Sequence, residues 1–201
     1  MVKIDLSEGR LELDKELNEL DRLVIDFVSI LDRLSVKYVL VSGYLAILFG
    51  RSRSSEDIDL IVERMPYDQF IVLWAEIEKD FHCLIPHNPR NAYDDYLTQR
   101  ISTRFARRGQ FLPNIEVMFP KATELDTWAL QNGRQVVLNG RKLWISPLEL
   151  QIPYKLFLGS TKDIEDARHL YRLFRENLDE DLFREFLIKL DKHDMFNRYL
   201  A

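Results

Sequence analysis

Two hydrophobic periods run through the chain and divide it into helices and strands. From Leu11 to Leu34, the residues Leu13, Leu17, Leu20, Val24, Phe27, Ile30, Leu31 and Leu34 recur three or four apart, which predicts one amphipathic helix. Its other face carries Glu12, Lys15, Glu16, Glu19, Asp26 and Asp32, and Ser7 or Asp14 is available as its cap. Tyr38–Val41 is a short apolar run suited to a buried strand. Ser42-Gly43 then lets the backbone turn with little side-chain bulk. Tyr44–Phe49 predicts a short helix ended by Gly50. Asp57–Val62 predicts a second strand, whose alternation puts Asp57 and Asp59 on one face and Ile58 and Leu60 on the other.

The same reading continues downstream. Pro66 to Lys79 predicts a helix with Phe70, Leu73, Trp74 and Ile77 on one side, and Phe81–Ile85 a short strand. Asn88-Pro89 reads as a cap followed by proline at the first helical position, opening a helix through Leu97. Gln99 to Ala106 alternates, with Arg100, Ser102 and Arg104 on one face. A turn at Arg107–Gln110 leads to a returning strand over Asn114–Phe119, with Pro113 at its start and Glu116 and Met118 sharing a face. Thr123 to Asn132 predicts a helix, and Asn139-Gly140 a hairpin between Gln135–Leu138 and Lys142–Ile145. Ser146-Pro147-Leu148-Glu149 reads as a capping box. The helix it opens carries Pro153 inside and ends at Leu158-Gly159. Ser160 or Thr161 caps a helix from Lys162 to Glu176, and Asp179 caps a last one from Glu180 to Leu190.

These elements predict an α+β fold, a small mixed β-sheet flanked by helices. Residues 1–145 form its core and residues 146–201 a helical C-terminal region packed on it. Composition narrows the function. The 201 residues are 46% hydrophobic, enough for a sizeable core, and carry a net charge of −5. That charge disfavours non-specific attachment to a long phosphate backbone. The single Cys83 leaves no internal disulfide. The charged N-terminus lacks an apolar signal region, and no apolar run is long enough to span a bilayer, so a cytoplasmic, membrane-free protein is expected.

The chemistry centres on Asp57 and Asp59. Carboxylates two apart on a strand lie side by side and repel unless a cation offsets them. Mg²⁺ takes one or two such carboxylates together with substrate phosphates. Acid pairs of this kind are commonplace on protein surfaces. The flanking strand residues and the upstream turn, where free N–H groups can meet phosphate, set this pair apart. Arg53, four residues before Asp57, suits either phosphates or an ion pair with Asp57 or Asp59. Arg100 and Arg104 suit a nucleotide or RNA acceptor, or are a solvated strand face. His82, Cys83 and His87 lack a zinc spacing.

Val41-Ser42-Gly43, a spacer of thirteen residues, and Asp57-Ile58-Asp59 flanked by apolar residues resemble the signature of the nucleotidyltransferase superfamily that includes DNA polymerase β, and in particular its minimal and AbiEii-like members. Gly50-Arg51-Ser52-Arg53-Ser54-Ser55 resembles their Gly-x-x-Arg-x-Thr element with Ser55 for threonine. The order Ser-Gly departs from the usual Gly-Ser. Lys155, and the run Lys162-Asp163-x-x-Asp166, match a later lysine and a Lys-Asp-x-x-Asp element.

The resemblance implies roles. Asp57, Asp59 and a third acid, by position Glu116 where the family usually has aspartate, would bind two Mg²⁺ ions. Ser42 and Gly43 would hold the phosphates of an NTP, with Arg53, Ser55 and Lys155 beside them. Lys155 could instead pair with the acidic site or lie along the surface as an ordinary lysine. Lys162, Asp163 and Asp166 could equally be helix-start residues favoured by the dipole. The implied activity is transfer of an NMP from an NTP to a hydroxyl of RNA, protein or a small molecule, with a toxin–antitoxin role and an antitoxin partner among the implications. The alternatives are an inactive nucleotide-binding module or an antitoxin-like interaction protein on the same fold.

Overall fold

The structure is a computed structural model, which describes residues 3–5 as backbone, 11–121 and 124–201. Nine strands among the described residues form one mixed sheet. In chain order they are β1 (Lys3–Asp5), β2 (Leu11–Asp14), β3 (Tyr38–Leu40), β4 (Asp57–Val62), β5 (Phe81–Ile85), β6 (Thr103–Arg107), β7 (Asn114–Met118), β8 (Arg134–Leu138) and β9 (Arg141–Ile145). Across the sheet the order is β1-β2-β8-β9-β3-β4-β7-β6-β5. β3 and β4 are central and antiparallel, and β4 runs parallel to β7 with Asp59 opposite Glu116.

The helices are α1 (Glu19–Arg33), α2 (Gly43–Leu48), α3 (Tyr67–Ile77), α4 (Pro89–Asn91, continued by a π-helical stretch over Ala92–Leu97), α5 (Glu124–Gln131), α6 (Leu148–Leu158), α7 (Thr161–Phe174), α8 (Glu180–Lys189) and α9 (His193–Tyr199). Ile58, Leu60 and Val62 face a large core shared with α1, α2 and α3. The alternate residue of β4, Ile61, faces a smaller core with Val39, Ala129, Leu150 and Phe186. Asp57 and Asp59 belong to that second row, so the strand's period of two sets the carboxylates apart from the main core. No helix of the described residues is long and apolar enough to cross a membrane.

Several local expectations hold. Asn139 and Gly140 both have positive φ, 47° and 78°, as a two-residue hairpin turn requires. Gly159 ends α6 in the left-handed region, and the Ser160 and Asp179 side chains cap α7 and α8.

Other expectations are corrected. Leu11–Asp14 is a strand and not the first turn of the N-terminal helix, because it pairs with β8 in parallel. Asp14, expected as a cap, lies in that strand, and Ser7 lies outside the described residues. The helix begins after Asn18, whose side chain accepts from the Asp21 N–H at 2.8 Å while Asp21 accepts from the Asn18 N–H at 3.0 Å. That reciprocal pair is the true capping box. The one expected at Ser146 is absent: α6 starts at Leu148 with no side-chain cap, and Glu149 bonds Arg134 instead. β6 begins only at Thr103, and Arg100 sits in a turn with φ 65°, so Arg100 and Arg104 do not share a strand face. Thr123, expected to open α5, lies outside the described residues. A further helix, α9, follows the one expected to be last.

Candidate active site

The site lies where β3 ends and β4 begins. The Val41 N–H donates to the Asp59 carbonyl at 3.1 Å, which seats the Ser42-Gly43 turn beside the Asp-x-Asp pair. Ser42 has φ 63° and ψ −136°, backbone that favours glycine. Its N–H donates to Oε1 of buried Gln151 at 2.9 Å. Its side chain acts to lower the Asp59 carboxyl. At Gly43 a Cβ would come within 3.1 Å of the Arg53 guanidinium, a tight contact that the arginine would have to relieve.

Burial pushes the Asp59 carboxyl up to about 6, and the charges of Glu116 and Asp57 add to that, against the Ser42 hydroxyl and the Lys155 ammonium. Asp57 is exposed. Ser55 sits beside it, its hydroxyl 3.2 Å from Oδ1 and 3.1 Å from the Asp57 carbonyl. Glu116 stands opposite Asp59 on β7, as its position required. Its carboxylate is taken by Arg104, and Ser102 donates to Oε2 at 3.1 Å. Among the described residues no three carboxylate, histidine or cysteine side chains are already gathered as a metal cage.

The basic residues form one network on α7. Asp166 is fully buried and meets Arg51, Arg53 at 2.6 Å and Lys155 at 3.1 Å. Arg53 thus pairs with Asp166, not with Asp57 or Asp59. Lys155 is 2% exposed and also donates to Asp163 at 2.7 Å, so it is an interior cation and not a surface lysine. Burial raises the Asp163 carboxyl, but hydrogen bonds from Lys155 and Ser160 outweigh this and hold it below its ordinary value. Lys162 is exposed, and its carbonyl accepts from Arg51 at 3.1 Å. Arg51 had no role in the sequence reading, yet it joins Asp166 and Glu165 to the loop before β4.

A pocket of about 160 Å³ opens beside Asp59 and Ser42, walled by Met118, Gln151 and Tyr154 with Lys121 and Asp126 near it. Gln151 and Tyr154 escaped the sequence reading. The signal for Gln151 was an amide set between Leu150 and Ile152 on a helix whose apolar residues face the core. On β5 His82 and Cys83 point to opposite faces, and the His87 ring nitrogen meets the Cys83 carbonyl at 3.3 Å, so these three form no common site.

No family model and no curated protein matches the sequence. Solved structures do match in fold. An antigenic nucleotidyltransferase-like protein from Paracoccidioides brasiliensis superposes with a TM-score of 0.56 at 18% identity, over 90% of this chain and 91% of the other. ANT(2")-Ia in complex with adenylyl-2"-tobramycin superposes with a TM-score of 0.53 at 18% identity, over 84% and 97%. The solution structure of the antibiotic-resistance factor ANT(2'')-Ia gives 0.50 at 12%, over 90% and 99%. A central sheet that brings a Ser-Gly turn against an Asp-x-Asp strand, in a chain that superposes along most of its length on these proteins, has the nucleotidyltransferase fold.

Proposed function

We propose that the protein is a nucleotidyltransferase that moves an NMP group from an NTP to an acceptor hydroxyl. The observation that carries this reading is the seating of the Ser42-Gly43 turn against Asp59 at one end of the sheet. The donor set suits Mg²⁺, since Asp57, Asp59 and Glu116 supply only hard carboxylate oxygens from neighbouring strands. Asp59, raised by burial and like charge, is short of a positive partner. Asp57 and Asp59 would hold the metal, with Glu116 joining once Arg104 releases it. Bound there, Mg²⁺ offsets charge on the attacking and leaving oxygens of the displacement.

The chain's own residues do the rest. Gly43 keeps the turn thin, so phosphate can approach the backbone beside the Arg53 guanidinium. Ser55 orients Asp57 and Ser42 orients Asp59. Lys155 supplies fixed positive charge behind Asp59, while Asp163 and Asp166 hold its ammonium in place. Residues 1–145 act as the catalytic core, and the helical residues 146–201 close the site through Gln151, Tyr154 and Lys155. The motif resemblance extends the reading to the toxin of a toxin–antitoxin pair, acting on an RNA or protein hydroxyl in the cytoplasm. ANT(2")-Ia, crystallised with adenylyl-2"-tobramycin, keeps a small-molecule hydroxyl equally in view.

One observation favours a second reading, an inactive nucleotide-binding module: the Glu116 carboxylate is already occupied by Arg104 and Ser102. The deciding experiment incubates the protein with each labelled NTP, Mg²⁺ and a panel of RNA, protein and small-molecule hydroxyl acceptors. The Asp57→Ala/Asp59→Ala variant runs alongside. Transfer abolished in the variant supports the enzyme; nucleotide binding with no transfer to any acceptor supports the module.

A further inference from the structure

A second concavity lies at the opposite end of the sheet. Tyr38 opens β3 there and Glu63 follows β4, whereas Ser42 and Asp57 mark the other end of the same two strands. The cavity is about 590 Å³ and lies among the C-terminal end of α1, α5 and β9. That volume is in the range of small-molecule sites. Trp144 supplies an indole that is 39% exposed, and Leu130 an apolar wall. Tyr38 is buried and contributes to the lining. Burial and the nearby Asp32 charge push its phenol up, against the Trp144 backbone.

The charges give the ligand its sign. Asp32, Glu63 and Lys37 are the charged side chains of the lining. Neither acid has an ion-pair partner among the described residues, and the Lys37 ammonium pairs with neither. One Glu63 oxygen accepts the backbone N–H of Lys37 at 2.8 Å, which leaves the other oxygen free of that bond. Two acids against one base leave the lining short of one positive charge. An exposed indole face attracts the same kind of charge through its quadrupole.

We propose that this cavity binds a small organic monocation, a primary amine carried on an aromatic or aliphatic body. The ammonium sits between Asp32 and Glu63, and the body packs on Trp144 and Leu130. The site is separate from the proposed transfer site and needs no nucleotide. An amine bound at the start of β3 stands one short strand away from the Ser42 turn.

The test is calorimetric titration of the purified full chain, without nucleotide or metal, with tyramine and with n-butylamine, and with 4-ethylphenol as a body without the amine. Saturable one-to-one binding of an amine is expected. The neutral compound should bind at least about tenfold more weakly, as should the amine to Asp32→Asn and to Trp144→Ala, the loss of one charge or cation–π contact. Both positions are exposed, and matching thermal unfolding curves confirm that each variant is folded. The proposal is overturned by no saturable amine binding up to about 10 mM, by equal binding of 4-ethylphenol, or by unchanged amine affinity in both variants. None of these outcomes bears on NMP transfer, which is assayed at the other end of the sheet.

Discussion

The Ser42 N–H and the Gln151 side-chain oxygen, 109 residues apart, meet at 2.9 Å. This bond ties the strained turn after β3 to the helix that follows the sheet. Ser42 occupies φ 63°, where a residue with a Cβ is disfavoured, and the bond is one of the contacts that keep it there.

Gln151→Leu therefore leaves a part-buried N–H without its protein acceptor. The expected cost is about 1–3 kcal/mol of stability, read by urea unfolding. NMP transfer should fall more steeply than the fraction folded, because the Ser42 side chain acts on the Asp59 carboxyl. Gln151→Glu keeps an acceptor oxygen and should restore most of both.

Asp59 gives a pH dependence whose sign follows from its raised carboxyl, at about 6. Below the unfolded value, near 4, both states hold the proton and the site contributes fully to stability. As pH rises through the window from about 4 to about 6, the unfolded chain loses its proton first. Native stability then drops by up to about 3 kcal/mol, reached above pH 6. Asp59→Asn removes this penalty. With chelator present, the variant should be more stable than the parent at pH 7.5 and equal to it near pH 4. Added Mg²⁺ should stabilise the parent selectively. Equal stability of both proteins at pH 7.5 in chelator would show that Asp59 is not strained by its surroundings.

The central strand and its acids were legible because they are local. Alternation over Asp57–Val62 is enough to put Asp59 and Ile58 on opposite faces, and the apolar residues that flank them say which face is core. The N-terminal helix was overextended because Leu13 falls in phase with Leu17, Leu20 and Val24 on a helical period, and that drew Leu11–Asp14 into the helix. Only pairing with Val136 and Leu138, more than a hundred residues later, makes them a strand. Local periodicity carries no record of that partner. The same holds for Lys155. Its helix was visible, but its burial depends on Asp163 and Asp166 arriving from α7. Arg53 lay near the acids in sequence and suited either phosphates or an ion pair with Asp57 or Asp59; the carboxylate it meets is Asp166, brought in from α7.

Asp166 should be the most costly acid to lose outside the strand pair. It is fully buried among Arg51, Arg53 and Lys155. Asp166→Ala leaves those cations facing one another with one fewer negative group. A loss on the order of 3–5 kcal/mol is expected, measured by denaturant midpoint. Asp166→Leu should not recover it, since the three cations remain.

Arg104 offers the sharpest separation between an enzyme and an inactive module. Its side chain is 55% exposed and its partner Glu116 only 13%. An exposed arginine contributes little to stability, so Arg104→Gln should cost less than about 1 kcal/mol. If Glu116 is the third metal ligand, Arg104 competes with the metal for it. Removing Arg104 then lowers the Mg²⁺ concentration for half-maximal transfer severalfold, while Glu116→Gln raises it. If Glu116 serves only to anchor Arg104 across β6 and β7, both substitutions leave the Mg²⁺ dependence unchanged and differ only in stability. A Mg²⁺ titration of NMP transfer on the two variants, beside their unfolding curves, distinguishes the cases.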